Sequence, residues 1–387
     1  MDPGEFDEAR YRASLLRKMR ASEVVVYQAE FAPASVAAEP TLVAATSTGR
    51  LHVFRLRHIM EPQYWEKVER NEVSPRPTAD LSFQAHPSQI YALAFAGDAA
   101  NPVLLSGGDQ ELRVWRWRDI AAALDDPARA KTIEPAHAVH LHRQALGFRG
   151  ALLPFNEVND VAVCPATQHA FLAGGDAAAH EWDLSTQQFV RRFEGHDDFL
   201  HSVSYLQHSR ELVTGSEDGA IGLWDARQAR QAEFLRPQPV SGQTEPSALW
   251  VGCVAHDASE MWLACGGGKR RVAGRSGAPQ RQQGGFMSMW HLPSRVPVHY
   301  TPTPSDVHDV AFHRMELLSV GNEASLKQWN RSSGALLATA HATLPSCHFC
   351  VVDEASDVVA VGGAAPTIDV YAMPGVVSFS LLVQDDV

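Results

Sequence analysis

The sequence predicts an all-β protein, a closed seven-bladed β-propeller, and three observations carry that prediction. A unit of about 40–45 residues recurs along the chain. Each copy reads as short alternating strands parted by small or acidic turns. The third strand of each copy ends in an aromatic residue, giving Phe54, Trp115, Trp182, Trp224, Trp290, Trp329 and Tyr371 in order. The separations of 42 residues from Trp182 to Trp224, 39 from Trp290 to Trp329 and 42 from Trp329 to Tyr371 each span one unit. The other three separations are 61, 67 and 66 residues. Each leaves room for one unit plus an insert of about 20–25 residues. Candidate inserts lie at residues 57–79, 118–155 and 269–285. Seven units use nearly the whole chain, and no block of domain size is left over.

Taken from the N-terminus, residues 1–21 stand apart. Tyr11, Leu15 and Met19 recur at i, i+4 and i+8 with basic residues on the other faces, which reads as an amphipathic helix. Such a helix lies against the rim or offers Leu15 and Met19 to a partner. The propeller is expected over 22–387. The clearest unit runs from Phe193 to Arg227, with Gly195-His196 at its head and Trp224-Asp225 at its tail. Those pairs are similar to the Gly-His and Trp-Asp signatures of a WD40 blade. Within it His196, Thr214, Asp218 and Trp224 are expected to form one hydrogen-bonded chain, since buried polar groups must be paired. The second unit offers His86, Ser106, Asp109 and Trp115 in the same order. Elsewhere the set is eroded and apolar packing is expected to hold the blades. Small residues such as Ala173, Gly174 and Gly175 suit the crowded layer near the channel. Residues 376–382 alternate (VVSFSLL) and are expected to form the outer strand of the last blade.

Composition removes several function classes. A net charge of −12 argues against a general nucleic-acid binder, which needs surplus Lys and Arg to displace counterions. No apolar run is long enough to span a bilayer, and residues 1–20 lack the apolar stretch of a signal peptide. Five sparse cysteines (Cys164, Cys253, Cys265, Cys347 and Cys350) make no disulfide framework and fit a reducing compartment. The catalytic strings H-E-x-x-H, G-x-S-x-G and G-x-x-x-x-G-K-[ST] are absent. No enzyme and no cofactor is expected. At GGGKRR, Arg270 stands where a phosphate loop needs Ser or Thr.

Other motifs have bland readings. Cys347 and Cys350 form a C-x-x-C in a strand, where i and i+3 are expected to face opposite sides, so no shared metal is expected. His137, His140 and His142 are read as imidazoles scattered on a solvated loop. The insert 269–285 carries Lys269, Arg270, Arg271, Arg275 and Arg281 without an acid, reads as a flexible basic loop, and offers at most a weak local contact to RNA. Trp224, Asp225 and Arg227 spell W-D-x-R. That string resembles the motif by which WD40 substrate receptors dock on the adaptor of cullin–RING ubiquitin ligases, the alternative function.

Several phrases together resemble the sixth-subunit family of the THO complex. They are FQAHPSQIYALAF, LLSGGDQELRVWRW, EVNDVAVCP, FLAGGDAAAHEWDL, EGHDDFLHSV, ELVTGSEDGAIGLWDAR and LWVGCVAHDASEMWLACGGG followed by MSMWHL. The last carries Trp250, Gly252, Cys253 and Gly266-Gly267-Gly268, which a generic blade does not need. The resemblance spans roughly residues 80–380. The chain departs in its N-terminus and in the inserts 61–78 and 269–285. The resemblance implies a non-catalytic nuclear propeller within THO and TREX, the machinery that packages, processes and exports mRNA. It also implies binding to coiled-coil subunits and support of higher-order assembly. The expected contact residues are Asp197, Asp198 and Phe199 after a blade's Gly-His, Trp250, and Leu15 and Met19 on the helix.

Overall fold

The computed structural model describes residues 24–141, 156–228, 230–238, 249–270, 272–273, 279–280, 284–372 and 376–384. The helix expected over 1–21, with Leu15 and Met19, lies outside them. Seven four-stranded sheets follow one another, each an antiparallel meander. Blade 1 is Val26–Phe31, Thr41–Thr46, Arg50–Arg55 and Leu81–Gln84; blade 2 is Ile90–Ala96, Val103–Gly108, Glu111–Arg116 and His137–His140. Blade 3 is Val158–Cys164, His169–Gly174, Ala178–Asp183 and Gln188–Glu194; blade 4 is Leu200–Leu206, Glu211–Ser216, Ile221–Asp225 and Arg230–Leu235. Blade 5 is Leu249–His256, Trp262–Lys269, Gly285–His291 and Val296–Thr303; blade 6 is Val307–His313, Glu316–Gly321, Glu323–Asn330 and Leu336–His341. Blade 7 is Cys347–Asp353, Val358–Gly363, Ala365–Tyr371 and Phe379–Leu382. The seven-unit count from the tail aromatics is the blade count.

The first strand of each blade touches the first strands of both neighbours in an unbroken cycle, so these seven strands wall the central channel. Apolar side chains gather in seven clusters, one at each seam between adjacent blades. A blade buries its two faces only against its neighbours, which is why none stands alone. Close approach at the seams needs small residues. A Cβ on Gly266 would lie 2.4 Å from Val307 Cγ1 of the next blade, and one on Gly107 would lie 2.6 Å from Val158 Cγ1. Ala173 is fully buried in the blade 3–4 seam, and a Cβ on Gly174 would meet Asp176 Oδ1 at 2.3 Å.

The inserts fold onto the ring. Helix α1 (Arg57–Met60) and helix α2 (Pro62–Glu69) fill the first. Helix α3 (Trp117–Asp125) opens the second, burying Trp117, Ile120, Ala123 and Leu124 on one face against blades 1 and 2. The described parts of the third insert correct its reading as a loop without regular structure. Lys269 ends one strand of blade 5 and Gly285 begins the next, while Val272–Ala273 pairs with Pro279–Gln280 between them. His137 and His140 likewise belong to the outer strand of blade 2 rather than to a loop, and His142 lies outside the described residues.

The C-x-x-C argument from alternation is also corrected. A β-bulge between Cys347 and Phe349 resets the alternation. Cys347 and Cys350 therefore share the blade 6–7 seam, while Phe349 faces blade 1. Both thiols are free and buried, and burial pushes Cys347 up to about 12. Among the described residues no group of three His, Cys, Asp or Glu is placed to hold a metal ion.

The ring closes between blades 1 and 7 without exchanging a strand. Phe379–Leu382 pairs with Ala365–Tyr371 as the outer strand of blade 7. The first insert then clamps that strand from outside. Leu382 N–H donates to Pro77 O at 2.7 Å, and Trp65 rests on Phe379 with ring centroids 5.9 Å apart. The Trp65 indole N–H donates to Ile59 O at 2.9 Å, which locks α2 to the fully buried Ile59. Trp65→Ala is therefore expected to lower stability by about 2 kcal/mol. Hydrogen exchange at residues 379–382 should accelerate ahead of the other outer strands; uniform exchange across all seven would refute the clamp.

Candidate interaction site at the channel mouth

The inner strand of every blade carries the same irregularity near its start. Register shifts fall at Val26/Gln28, Ile90/Ala92, Leu200/Ser202, Val251/Cys253, Val307/Asp309 and Cys347/Phe349, and in blade 3 opposite Ala173/Gly174. The residue that each shift leaves unpaired is Tyr27, Tyr91, Asn159, His201, Gly252, His308 or His348. A bulge re-aims its side chain, and here seven bulges aim seven positions at one mouth of the channel.

Six rings meet there in series. Tyr91 lies 5.2 Å from Tyr27, Tyr27 stacks on His348 at 6.0 Å, and His348 meets His308 edge-on at 5.5 Å. His308 lies 6.2 Å from Trp250, and Trp250 lies 5.7 Å from His201. Trp250 takes the place that the bulge residue of blade 5 vacates. A Cβ on Gly252 would sit 2.4 Å from the indole, so this glycine makes room for that ring. The arc opens only over blade 3, where Asn159 sends its amide to Leu200 O at 2.7 Å.

Acids edge that gap. The Tyr91 hydroxyl donates to Asp109 at 2.9 Å, the Tyr27 hydroxyl to Gln89 at 2.8 Å, and His201 meets Glu217 at 3.0 Å. Partial burial and the charge of Asp109 push Glu157 above the usual carboxylate range. Burial pulls His348 down to about 4 and His308 downward as well, so both are uncharged at neutral pH. Deeper in the channel stand Glu30, Asp160 and Asp309. Asp160 accepts from Val161 N at 2.8 Å and from Val203 N of blade 4 at 2.9 Å. Asp309 accepts from Val310 N and from Cys350 N of blade 7, both at 2.8 Å. Each aspartate thus staples its inner strand to the next one. Burial first, then mutual repulsion, pushes Glu30 up to about 8. Burial likewise raises Asp309 to about 7 and Asp160 to about 6.

The polar sets behind this face differ between blades. In blade 4, His196 Nδ1 lies 2.7 Å from Asp218, His196 Nε2 lies 2.8 Å from Thr214 Oγ1, and the Trp224 indole donates to the same oxygen at 2.9 Å. Burial works against the Asp218 charge, but His196 holds its carboxyl below the ordinary range. In blade 2, His86 meets Ser106 at 2.7 Å and Trp115 donates to Ser106 at 2.8 Å. Asp109 is not part of that chain, which corrects its assignment: its carboxylate serves Tyr91. Glu111, held by Arg113, stands 3.9 Å from His86 instead. Blade 6 keeps Trp329 donating to Ser319 at 2.8 Å, a bond the sequence reading missed.

The expected contact residues are scattered. Asp197 is exposed and Phe199 half-buried on the same face as the mouth. Asp198 is not an open contact residue: it is only 6 % exposed and takes Arg270 at 2.5 Å. Arg270 also reaches Glu217 at 3.4 Å, so it is spent within the protein. Lys269 ends a blade 5 strand, while Arg271, Arg275 and Arg281 lie outside the described residues. Of the W-D-x-R string, Trp224 is fully buried, and Arg227 forks onto Asp225 with two contacts of 2.8 Å. That fork sits at the opposite end of the blade from the mouth.

Closed ring, repeated blades and Trp-centred polar sets define a WD-repeat β-propeller protein. The family model for "WD domain, G-beta repeat" matches residues 78–116 and 187–225. Along most of its length the chain is similar to proteins named THO complex subunit 6. The protein of that name from Arabidopsis thaliana is 29% identical over 377 residues, covering 97% of this chain and 96% of the relative. The one from Homo sapiens is 27% identical over 346 residues, 88% of each chain. The one named THO complex subunit 6 homolog from Rattus norvegicus is 27% identical over 351 residues, 88% of each chain.

Proposed function

We propose that the protein is a non-catalytic scaffold subunit of a nuclear THO-type complex, supporting mRNP assembly, mRNA processing and mRNA export. The observation that carries this reading is similarity to THO complex subunit 6 proteins across nearly the full length of both chains. The fold suits the role, because rigid blades present variable turns on two faces. Its partners in this reading are the other subunits, the coiled-coil ones first, held by turns such as Asp197 and Phe199. RNA contact is indirect: the net charge is −12, and Arg270 is engaged by Asp198 and Glu217.

Affinity purification of the tagged full chain from nuclear extract tests this. The expected result is recovery of the other THO subunits in comparable amounts, unchanged by Arg227→Ala. Recovery of a cullin–RING adaptor in their place, lost on Arg227→Ala, would establish the ligase-receptor reading instead. A propeller that returns alone refutes the scaffold role.

A further inference from the structure

The channel mouth combines features that no blade needs for folding. Six rings from six blades present faces and edges to one opening. The arc breaks only over blade 3, where Asp109 and Glu157 stand beside Asn159. Glu30, Asp160 and Asp309 line the wall behind it, and the charges of Asp160 and Asp309 both act on Glu30. A guanidinium is the group that suits such a place. Its flat faces stack on Tyr and Trp rings, and its five N–H donors match carboxylates. His308 and His348 are uncharged at neutral pH and add ring surface without repelling a cation. His201 is paired with Glu217, and Arg270 is held by Asp198 and by that same Glu217.

We infer that the mouth is a docking site for an arginine side chain on an extended basic peptide of a partner protein, stacked within the Tyr27–Tyr91–Trp250 arc and directed at Asp109 and Glu157. This inference stands apart from the choice of complex in which the chain works, since it concerns the purified propeller and one peptide. The ammonium of lysine lacks the flat face and the fork, so it binds more weakly.

Fluorescence anisotropy with a labelled Gly-Ser-Gly-Arg-Gly-Arg-Gly-Ser peptide tests it. Trp250→Leu and Tyr27→Leu, which leave every charge in place, are each expected to weaken binding about tenfold. Tyr27→Phe is expected to retain it. Glu157→Gln, at an exposed position that the fold does not depend on, is expected to weaken binding about tenfold as well. Equal binding by wild type and both leucine variants would mean general attraction to an acidic protein and would overturn the site. So would a lysine peptide that binds as tightly as the arginine one. Free arginine competing as well as the peptide would assign the mouth to a small molecule and overturn the peptide reading. Thermal melts of each variant keep a lost fold from passing as lost binding.

Discussion

Thr214→Val is expected to destabilise the protein by about 3–5 kcal/mol although it removes no volume. Thr214 Oγ1 is the hub of blade 4: it accepts the Trp224 indole N–H and stands 2.8 Å from His196 Nε2. Asp218, ionised beside His196, accepts a hydrogen bond from Nδ1 at 2.7 Å and fixes the ring so that Nε2 faces Thr214. Valine keeps the shape and leaves two buried polar groups without partners. Each such orphan costs about 1–3 kcal/mol. Gly222 lies inside the same arrangement. A Cβ there would sit 2.6 Å from Thr214 Oγ1, 2.7 Å from His196 Nε2 and 2.8 Å from Trp224 Nε1. Urea denaturation of Thr214→Val, Trp224→Phe and the pair measures the coupling. A single-variant loss below about 1 kcal/mol, or additive losses, would show that apolar packing alone holds this blade.

Blade 3 shows why the position is not free everywhere. Leu172 stands there at the place of Thr214, and the Trp182 indole N–H finds no acceptor among the described residues. That blade relies on another arrangement, in which Asp176 binds His180 at 3.1 Å and Arg192 at 2.9 Å. Asp176 stays ionised because those partners outweigh its burial.

What the sequence disclosed follows from what is periodic in it. The seven tail aromatics repeat at blade spacing, so the blade count was legible. His196, Thr214 and Trp224 were legible because their order along one unit sets their stacking across its strands. The mouth was not, because it is made of one residue from each unit, and its types (Tyr, Asn, His, Gly) share no class. Its signal lay in the column, not the row: VYQAEF, IYALAF, VNDVAV, LHSVSY, VGCVAH, VHDVAF and CHFCVV place all seven bulge residues second. The same bulge defeated the alternation argument for Cys347 and Cys350, since one extra residue turns every side chain before it to the other face. Asp198 was misplaced because its partner, Arg270, is 72 residues away and joins it only through the ring.

The three channel carboxyls make alkali a destabiliser. Glu30 sits at about 8, Asp309 at about 7 and Asp160 at about 6 in the folded protein, all above the carboxylate range of the unfolded chain. A group with a raised folded value binds its proton more tightly when folded. Its contribution is present below the unfolded value and is lost as pH rises through the folded one. His86 and His348 oppose this only at lower pH, because their folded values of about 3 and about 4 cost stability as pH falls below the unfolded histidine range. Between pH 6.5 and about 8 the carboxyls are left to act, with Glu30 titrating last of them, and above that the buried thiols raised by burial add to the same loss. Stability is expected to fall across that window by about 1–2 kcal/mol from Glu30, after allowance for the water that enters a channel. Glu30→Gln supplies the neutral form permanently. Its melting temperature should exceed that of the wild type at pH 9 and match it near pH 5. Parallel pH profiles for the two proteins would show that Glu30 ionises normally and that the channel wall does not hold its proton.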